Sequence, residues 1–167
     1  FVKKSITPIN RDNPIPNQWD RIGGKTGENF TVLPDDGIPY NYDQRAIPYL
    51  ENTSARHTGK FNIESYYDTI DAINNGTLEE LNILVTKNKK TPISSIEFDR
   101  IQASLNSFQN KVKESIGNID SIYGLKGTAA PWVSSSTGEI LMKGGVEQIV
   151  TPLNAEILER LGLISKY

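Results

Sequence analysis

The clearest helical pattern in the chain lies between Ser94 and Gly117. Apolar side chains recur there at steps of three and four: Phe98, Ile101, Leu105, Phe108, Val112 and Ile116. This spacing places them on one face of an α-helix. Ser94-Ser95-Ile96-Glu97 has the capping-box pattern at the start, and Gly117 is a natural terminator. The apolar stripe predicts a helix packed on a core; a face for a partner protein is the alternative.

Shorter helices are predicted on both sides of this one. Residues 64–73 carry apolar side chains at helical spacing and run into Asn74-Asn75-Gly76, a good helix stop. Residues 78–85 form a second short candidate. Near the end of the chain, Asn154 can cap a last helix over 155–161, which Gly162 would close. The chain is thus expected to hold a helical block over 64–124 and a C-terminal helix.

Strand-like segments occur before and after the helical block. Phe30 to Leu33 precedes a Pro-Asp-Asp-Gly turn, while residues 128–133, 140–142 and 146–150 are short apolar segments broken by turn residues. Residues 1–18 contain three prolines and predict an extended lead-in. Two β-rich pieces flanking a helical block indicate an α+β fold. A length of 167 residues suits one domain, 1–167.

Composition narrows the classes of function. The net charge is -2, which argues against a dedicated nucleic-acid binder. The chain has no cysteine and one histidine, so disulfides, thiolate metal sites and His-rich metal clusters are excluded. No apolar run approaches the roughly 18 residues that a membrane span requires. Because the chain begins at Phe1 without a leader, we expect it to be a fragment of a longer protein.

The stretch from Tyr42 to His57 invites an active-site interpretation. Arg45 lies between aromatic residues and prolines, and His57 is the single histidine. An arginine suits a phosphate-bearing ligand, whereas a histidine suits proton transfer. A structural imidazole, or an arginine that pairs with a carboxylate, is an equally simple explanation of these residues. No Gly-x-Ser-x-Gly elbow supports a serine hydrolase.

Several short blocks, taken in order, resemble the tuberculosis necrotizing toxin family. The first half of the family's pattern is matched by Asp20-Arg21-Ile22-Gly23, Gly27, Phe30, Leu33-Pro34, Gln44-Arg45-Ala46-Ile47-Pro48 and His57. The second half is matched by Ala130-Pro131-Trp132, Gly144-Gly145-Val146-Glu147-Gln148 and a closing helix that ends in Leu161-Gly162-Leu163-Ile164. The resemblance covers roughly residues 19–61 and 127–164.

The resemblance implies a toxin domain, usually the C-terminal end of a larger secreted protein. Such domains hydrolyse NAD to nicotinamide and ADP-ribose, and the implied fold is a small, mostly antiparallel β-sheet like that of ADP-ribosylating toxins. Carried over by position, Arg21, Gln148 and His57 are catalytic candidates, and Arg45 and Phe30 are expected to bind NAD. NAD or NADP would be the substrate, with no required cofactor and no metal. A cognate immunity protein is the expected partner, and the target-cell cytosol is the expected place of action.

Two departures from the family pattern stand out. The family usually has a tyrosine two residues after the histidine, where this chain has Gly59. Family members also link that strand to the Ala-Pro-Trp block by a short connection, whereas this chain inserts the helical block. The block is a candidate cover for the site or a contact for a partner.

The chemistry of NAD hydrolysis suits this residue set. Nicotinamide leaves as a neutral molecule, so the site must support an oxocarbenium-like ribose and present water. Arg21 and Arg45 are expected to hold the pyrophosphate, and Gln148 to position the ribose or water. Alternatives are an ADP-ribosyltransferase that uses Glu147, a metal-dependent nuclease, and a non-catalytic partner-binding module.

Overall fold

The computed structural model describes residues 6–22, 26–32, 56–60, 63–117, 121–128, 132–133, 140–142 and 147–166. Residues 20–22, 56–60, 132–133, 140–142 and 165–166 are described by their backbone alone. The helices are α1 (Ile63–Asn74), α2 (Leu78–Lys87), α3 (Ser95–Ile116) and α4 (Ala155–Arg160). The strands are β1 (Thr7–Pro8), β2 (Gln18–Ile22), β3 (Asn29–Val32), β4 (Arg56–Lys60), β5 (Leu125–Thr128), β6 (Trp132–Val133), β7 (Ile140–Met142), β8 (Glu147–Val150) and β9 (Ser165–Lys166).

All four predicted helices are present, and their end signals work as expected. At the start of α3 the Ser94 hydroxyl accepts a hydrogen bond from the Glu97 amide at 3.2 Å. At its end the Gly117 amide donates to the Lys113 carbonyl. The Asn154 side chain accepts from the Ile157 amide at the start of α4. These side chains satisfy backbone groups that a helix terminus leaves unpaired.

Within the described residues the strands form an antiparallel sheet of seven, in the order β1-β5-β8-β3-β2-β4-β9, and a separate pair, β6-β7. The predicted α+β class is therefore confirmed. The four strands at the centre, β8, β3, β2 and β4, come from both β-rich pieces of the sequence. The chain on either side of the helical block thus builds one continuous sheet.

The helical block and the sheet share one hydrophobic core. Tyr66 and Ile70 of α1 belong to the same buried cluster as Trp19, Phe30 and Ile149 of the sheet. The Tyr66 hydroxyl also donates to the Tyr123 carbonyl at 2.8 Å, which ties α1 to the segment before β5. Because its apolar faces are buried against the strands, the block is an integral layer of the fold.

The described part of the lead-in, residues 6–18, is tied to the helical block by buried and charged contacts. Ile9 and Ile15 are part of the main core, and β1 pairs with β5. The Tyr67 hydroxyl donates to the Asn10 carbonyl, and the Arg11 guanidinium lies 5.0 Å from the Tyr67 ring centre. This segment therefore contributes core residues that its proline content did not predict.

Gly124, which leads into β5, is a position where any other residue would be strained. Its φ is +106°, and a Cβ built on it would lie 2.5 Å from the Val150 carbonyl oxygen. We expect Gly124→Ala to lower the free energy of unfolding by about 2 kcal/mol or more, because backbone strain and a clash add. Urea titration would measure the change.

Gly117 provides the control for this prediction. Its φ is +100°, but nothing lies within 4 Å of a Cβ built there. Gly117→Ala should therefore show the strain without the clash and cost less than Gly124→Ala. Equal costs at the two positions would mean that the contact with Val150 is relieved by a small movement of the strands.

Candidate functional site

The strand order brings together residues that are far apart in the sequence. Gln148 lies on β8, Phe30 on β3, Arg21 on β2 and His57 on β4, which are four consecutive strands. Neighbouring strands are about 4.8 Å apart, so the backbones of Gln148 and Arg21 are separated by two strand spacings, about 10 Å. Arg45 lies outside the described residues.

The register of the strands aligns a particular set of residues with Gln148. Gly127, Gln148, Thr31, Asp20 and Thr58 are successive partners across β5, β8, β3, β2 and β4. We call this set the Gln148 row. Directly opposed residues of antiparallel strands lie on the same face of the sheet. Gln148 and Thr31, from opposite ends of the chain, therefore share a face.

Arg21 and His57 occupy the neighbouring row. They are direct partners across β2 and β4, one residue away from Asp20 and Thr58 along their strands. Since successive strand residues lie on opposite faces, this row lies on the face of the sheet opposite Gln148. The two catalytic candidates of the first β-rich piece are thus brought side by side. The residue of β2 aligned with Gln148 is Asp20, which the sequence did not single out as a site residue. The roles of Arg21 and His57 at a substrate site stay predictions.

Phe30 is a core residue in this structure. Its side chain is 1% exposed, and its ring packs edge-to-face on Trp19 with 4.6 Å between ring centres. Phe30 and Thr31 are successive strand residues and point to opposite faces of the sheet. Phe30 therefore lies on the opposite face from Gln148, so an effect on a ligand beside Gln148 would pass through the sheet. Its expected role in binding NAD stays a prediction.

Gln148 itself is half-buried, and its two neighbours on the same face are small. Gly127 lies opposite it on β5 and Thr31 on β3, both of them buried. An isolated glycine within a strand often marks a close approach of a ligand or of another backbone. That signal is visible in the sequence at Gly127, but only the register shows that it lies beside Gln148.

One cavity of about 780 Å³ lies between α3, α4 and the connection that precedes α3. Arg160 closes part of its wall through two hydrogen bonds to the Glu97 carboxylate, at 3.0 and 3.2 Å. The Arg160 guanidinium also donates to the Thr91 and Pro92 carbonyls. This arginine therefore anchors α4 to α3, and its charge is already neutralised by Glu97.

A second cavity of about 310 Å³ lies beside the middle of α3. Glu28, at the start of β3, and Lys111 are among the residues that line it. Burial raises the pKa of the Glu28 carboxyl, and the positive charge of Lys111 opposes that rise. The residues around both cavities come mainly from the helices, and none of the predicted site residues is among them.

The described part of the chain offers neither a metal-binding cluster nor a membrane-spanning helix. That part of the chain holds no group of three or more His, Asp or Glu side chains arranged to bind a metal ion. Nor does any helix in it combine the length and apolar character that crossing a bilayer requires.

The chain stands apart from the known proteins with which it was compared. The resemblance to the necrotizing toxin family rests on the short blocks quoted above, of which the structure describes only part. Shared blocks of this kind suggest a function without demonstrating it. No family model, no curated protein and no solved structure matches this chain.

Proposed function

We propose that the protein is an NAD(P)+ glycohydrolase toxin domain. It hydrolyses the bond between nicotinamide and ribose, releases nicotinamide and ADP-ribose, and so depletes NAD in a target cell. One observation carries the proposal: residues from the two ends of the chain, Arg21, His57 and Gln148, lie on three of the four central strands of one sheet, with Arg21 and His57 directly paired. Arg21 and His57 lie on one face of that sheet and Gln148 on the other, so variants of the two sets test separately which face binds NAD. The sheet would then correspond to that of ADP-ribosylating toxins.

The residues divide the work of the reaction according to their chemistry. Arg21 and Arg45 hold the pyrophosphate, because the guanidinium fork matches phosphate oxygens. Gln148 hydrogen-bonds the nicotinamide ribose or the attacking water and fixes the reacting groups relative to each other. His57 contacts the substrate beside Arg21. The cationic nicotinamide ring leaves as a neutral molecule, so no side chain has to donate a proton to it.

An ADP-ribosyltransferase would use the same substrate and transfer the ribose to a protein. Glu147 is the candidate for the catalytic carboxylate of such a transferase, since it adjoins Gln148 and is exposed. Strand alternation puts Glu147 on the face of the sheet that also carries Arg21 and His57, opposite Gln148. Free ADP-ribose without a labelled acceptor protein would favour hydrolysis over transfer.

A non-catalytic binding module whose helical block docks a partner is less well supported. The apolar faces of α1 and α3 are already buried against the sheet, which leaves their outer faces polar for the most part. As a toxin, the domain would be delivered from the producing cell and act in the target-cell cytosol. The producer would then need an immunity protein that binds the domain.

Incubation of the purified domain with NAD or NADP tests the proposal. The expected products are nicotinamide and ADP-ribose in equal amounts, separated and quantified by chromatography. An Arg45→Ala variant should raise the KM for NAD by about tenfold or more, because a charge-assisted contact to the pyrophosphate is lost. Intact NAD after prolonged incubation would refute hydrolysis, and a labelled acceptor protein without free ADP-ribose would indicate transfer.

A further inference from the structure

We propose that the larger cavity, between α3, α4 and the connection that precedes α3, binds a phosphorylated small molecule of about the size of a nucleotide. Its phosphate would lie against three cations of the lining, Lys89, Lys90 and Arg100, and its organic part beside Ser104 and Asn154. The inference goes beyond the proposed function, because the described lining residues include none of those assigned to NAD hydrolysis.

The cavity has the size and the lining of a small-molecule site. Its volume is about 780 Å³, within the roughly 300 to 1,000 Å³ that such sites occupy. Ile101 of α3 is buried and Ile157 of α4 is half-buried, so the inner part of the lining is partly apolar. Ser104 and Asn154 are half-buried in the same lining and add polar groups. An apolar surface with a few polar groups suits the organic part of a ligand better than a bare ion.

Ser104 and Asn154 have hydrogen-bond donors available to a ligand. The Asn154 side-chain oxygen accepts from the Ile157 amide at 2.9 Å, which leaves the NH2 of this side chain to serve as a donor. Within the described part of the chain, neither this NH2 nor the Ser104 hydroxyl donates a hydrogen bond to another residue. Sugar hydroxyls and phosphate oxygens are acceptors that match these donors.

Three exposed cations line the cavity without a counter-charge from the protein. Lys89, Lys90 and Arg100 form no ion pair with any residue that the structure describes. A guanidinium group binds two phosphate oxygens at once, and a lysine ammonium adds a mobile positive charge. The three side chains together therefore suit a phosphate group.

The carboxylates of the same lining are already engaged. Glu97 pairs with Arg160 at 3.0 Å. Glu156 and Glu159 each take part in an interaction within the protein. The unpaired charge at the cavity is therefore positive, which favours an anionic ligand over a cationic one.

Lys89 occupies a backbone conformation that disfavours lysine. Its φ is +62°, and it is the one non-glycine residue with a positive φ in the described part of the chain. It follows Asn88, the C-cap of α2, at a position where glycine is the usual residue. Lys87 already supplies a positive charge to the last turn of α2. A contact between the Lys89 side chain and a ligand would offset the strain that lysine adds here.

The experiment measures the binding of adenosine monophosphate (AMP) by isothermal titration calorimetry. AMP should bind to the wild-type protein, and adenosine should bind about tenfold or more weakly, because it lacks the charge-assisted contacts. AMP has no bond to nicotinamide, so its binding does not depend on whether the domain cleaves NAD.

Variants of the lining locate the binding site. Arg100→Gln should weaken the binding of AMP by about tenfold, because the bidentate contact is lost. Ser104→Leu should weaken it at least as much, since leucine fills the space beside Asn154. Lys113→Gln is the matched control, because Lys113 is exposed on the same helix and lines neither cavity. This variant should keep the wild-type affinity.

Lys89→Gly separates a ligand contact from a structural role. Glycine adopts a positive φ without strain, so the variant should unfold at the wild-type temperature or above it. It should nevertheless bind AMP about threefold more weakly, as expected for the loss of one exposed charge.

Two results would overturn the inference. One is that the wild-type protein does not bind AMP at millimolar concentrations, or binds adenosine equally well. The other is that folded Arg100→Gln and Ser104→Leu proteins keep the wild-type affinity for AMP, which would place its binding outside this cavity. Thermal unfolding shows whether each variant is folded, and Lys89→Gly decides the question if Ser104→Leu unfolds.

Discussion

The Gln148→Ala protein is expected to release nicotinamide from NAD at about one hundredth of the wild-type rate or less, because a positioned hydrogen-bonding group in a transition state contributes about that much. Gln148 is half-buried, while its neighbour Ile149 fills the core on the opposite face. Thermal unfolding of the variant separates a loss of the amide's chemistry from a loss of structure in β8. Initial rates of nicotinamide release, measured at saturating NAD, would show the loss in kcat.

Glu147→Gln is the natural companion of this variant. Glu147 adjoins Gln148, is exposed, and points to the other face of the sheet. A glycohydrolase should retain nearly full activity in Glu147→Gln, whereas a transferase that relies on this carboxylate should lose it. Near-normal turnover by Gln148→Ala, together with an inactive Glu147→Gln, would reverse the assignment and favour transfer to an acceptor protein.

The helices could be predicted from the sequence because their signals are local. The apolar steps over α3, the hydroxyl of Ser94 and the φ of Gly117 all lie within the segment that they define. Each signal is satisfied by contacts a few residues away, such as the Ser94–Glu97 hydrogen bond. Local periodicity and caps therefore specify where a helix begins and ends, independently of the rest of the chain.

The sheet could be predicted only as a set of strand candidates. Strand periodicity shows which side chains share a face but does not identify the neighbouring strand. The order β1-β5-β8-β3-β2-β4-β9 depends on pairings across the whole chain. β1 and β9 have two residues each, too short for any periodicity. Their strand character comes from their partners, β5 and β4.

Strand pairing also decides which residues lie at the candidate site, and the sequence alone does not show it. Arg21, His57 and Gln148 were selected by resemblance, and the pairing shows that they lie on central strands. Thr31 and Gly127 carry little chemical signal of their own in the sequence. Their interest comes from the register, which sets them on either side of Gln148. A one-residue shift of that register would have placed other residues there.

Phe30 is either a core residue or a contact to the ligand, and substitutions at this position have opposite effects on stability and on KM in the two cases. Its ring is 1% exposed and lies 4.6 Å from that of Trp19. Phe30→Ala is therefore expected to lower the free energy of unfolding by about 3 to 5 kcal/mol, since a large buried side chain leaves a cavity. Chemical denaturation monitored by the fluorescence of Trp19 and Trp132 would measure the change.

Phe30→Leu separates the two roles, since leucine keeps the apolar character but removes the ring. As a core residue, Phe30 can be replaced by leucine with a modest loss of stability and an unchanged KM for NAD. As a ligand contact, it would lose stacking and raise the KM while the stability stayed the same. Because the Phe30 ring is 1% exposed and packs on Trp19, we expect the first result. A raised KM in Phe30→Leu at unchanged stability would mean that NAD contacts the ring directly.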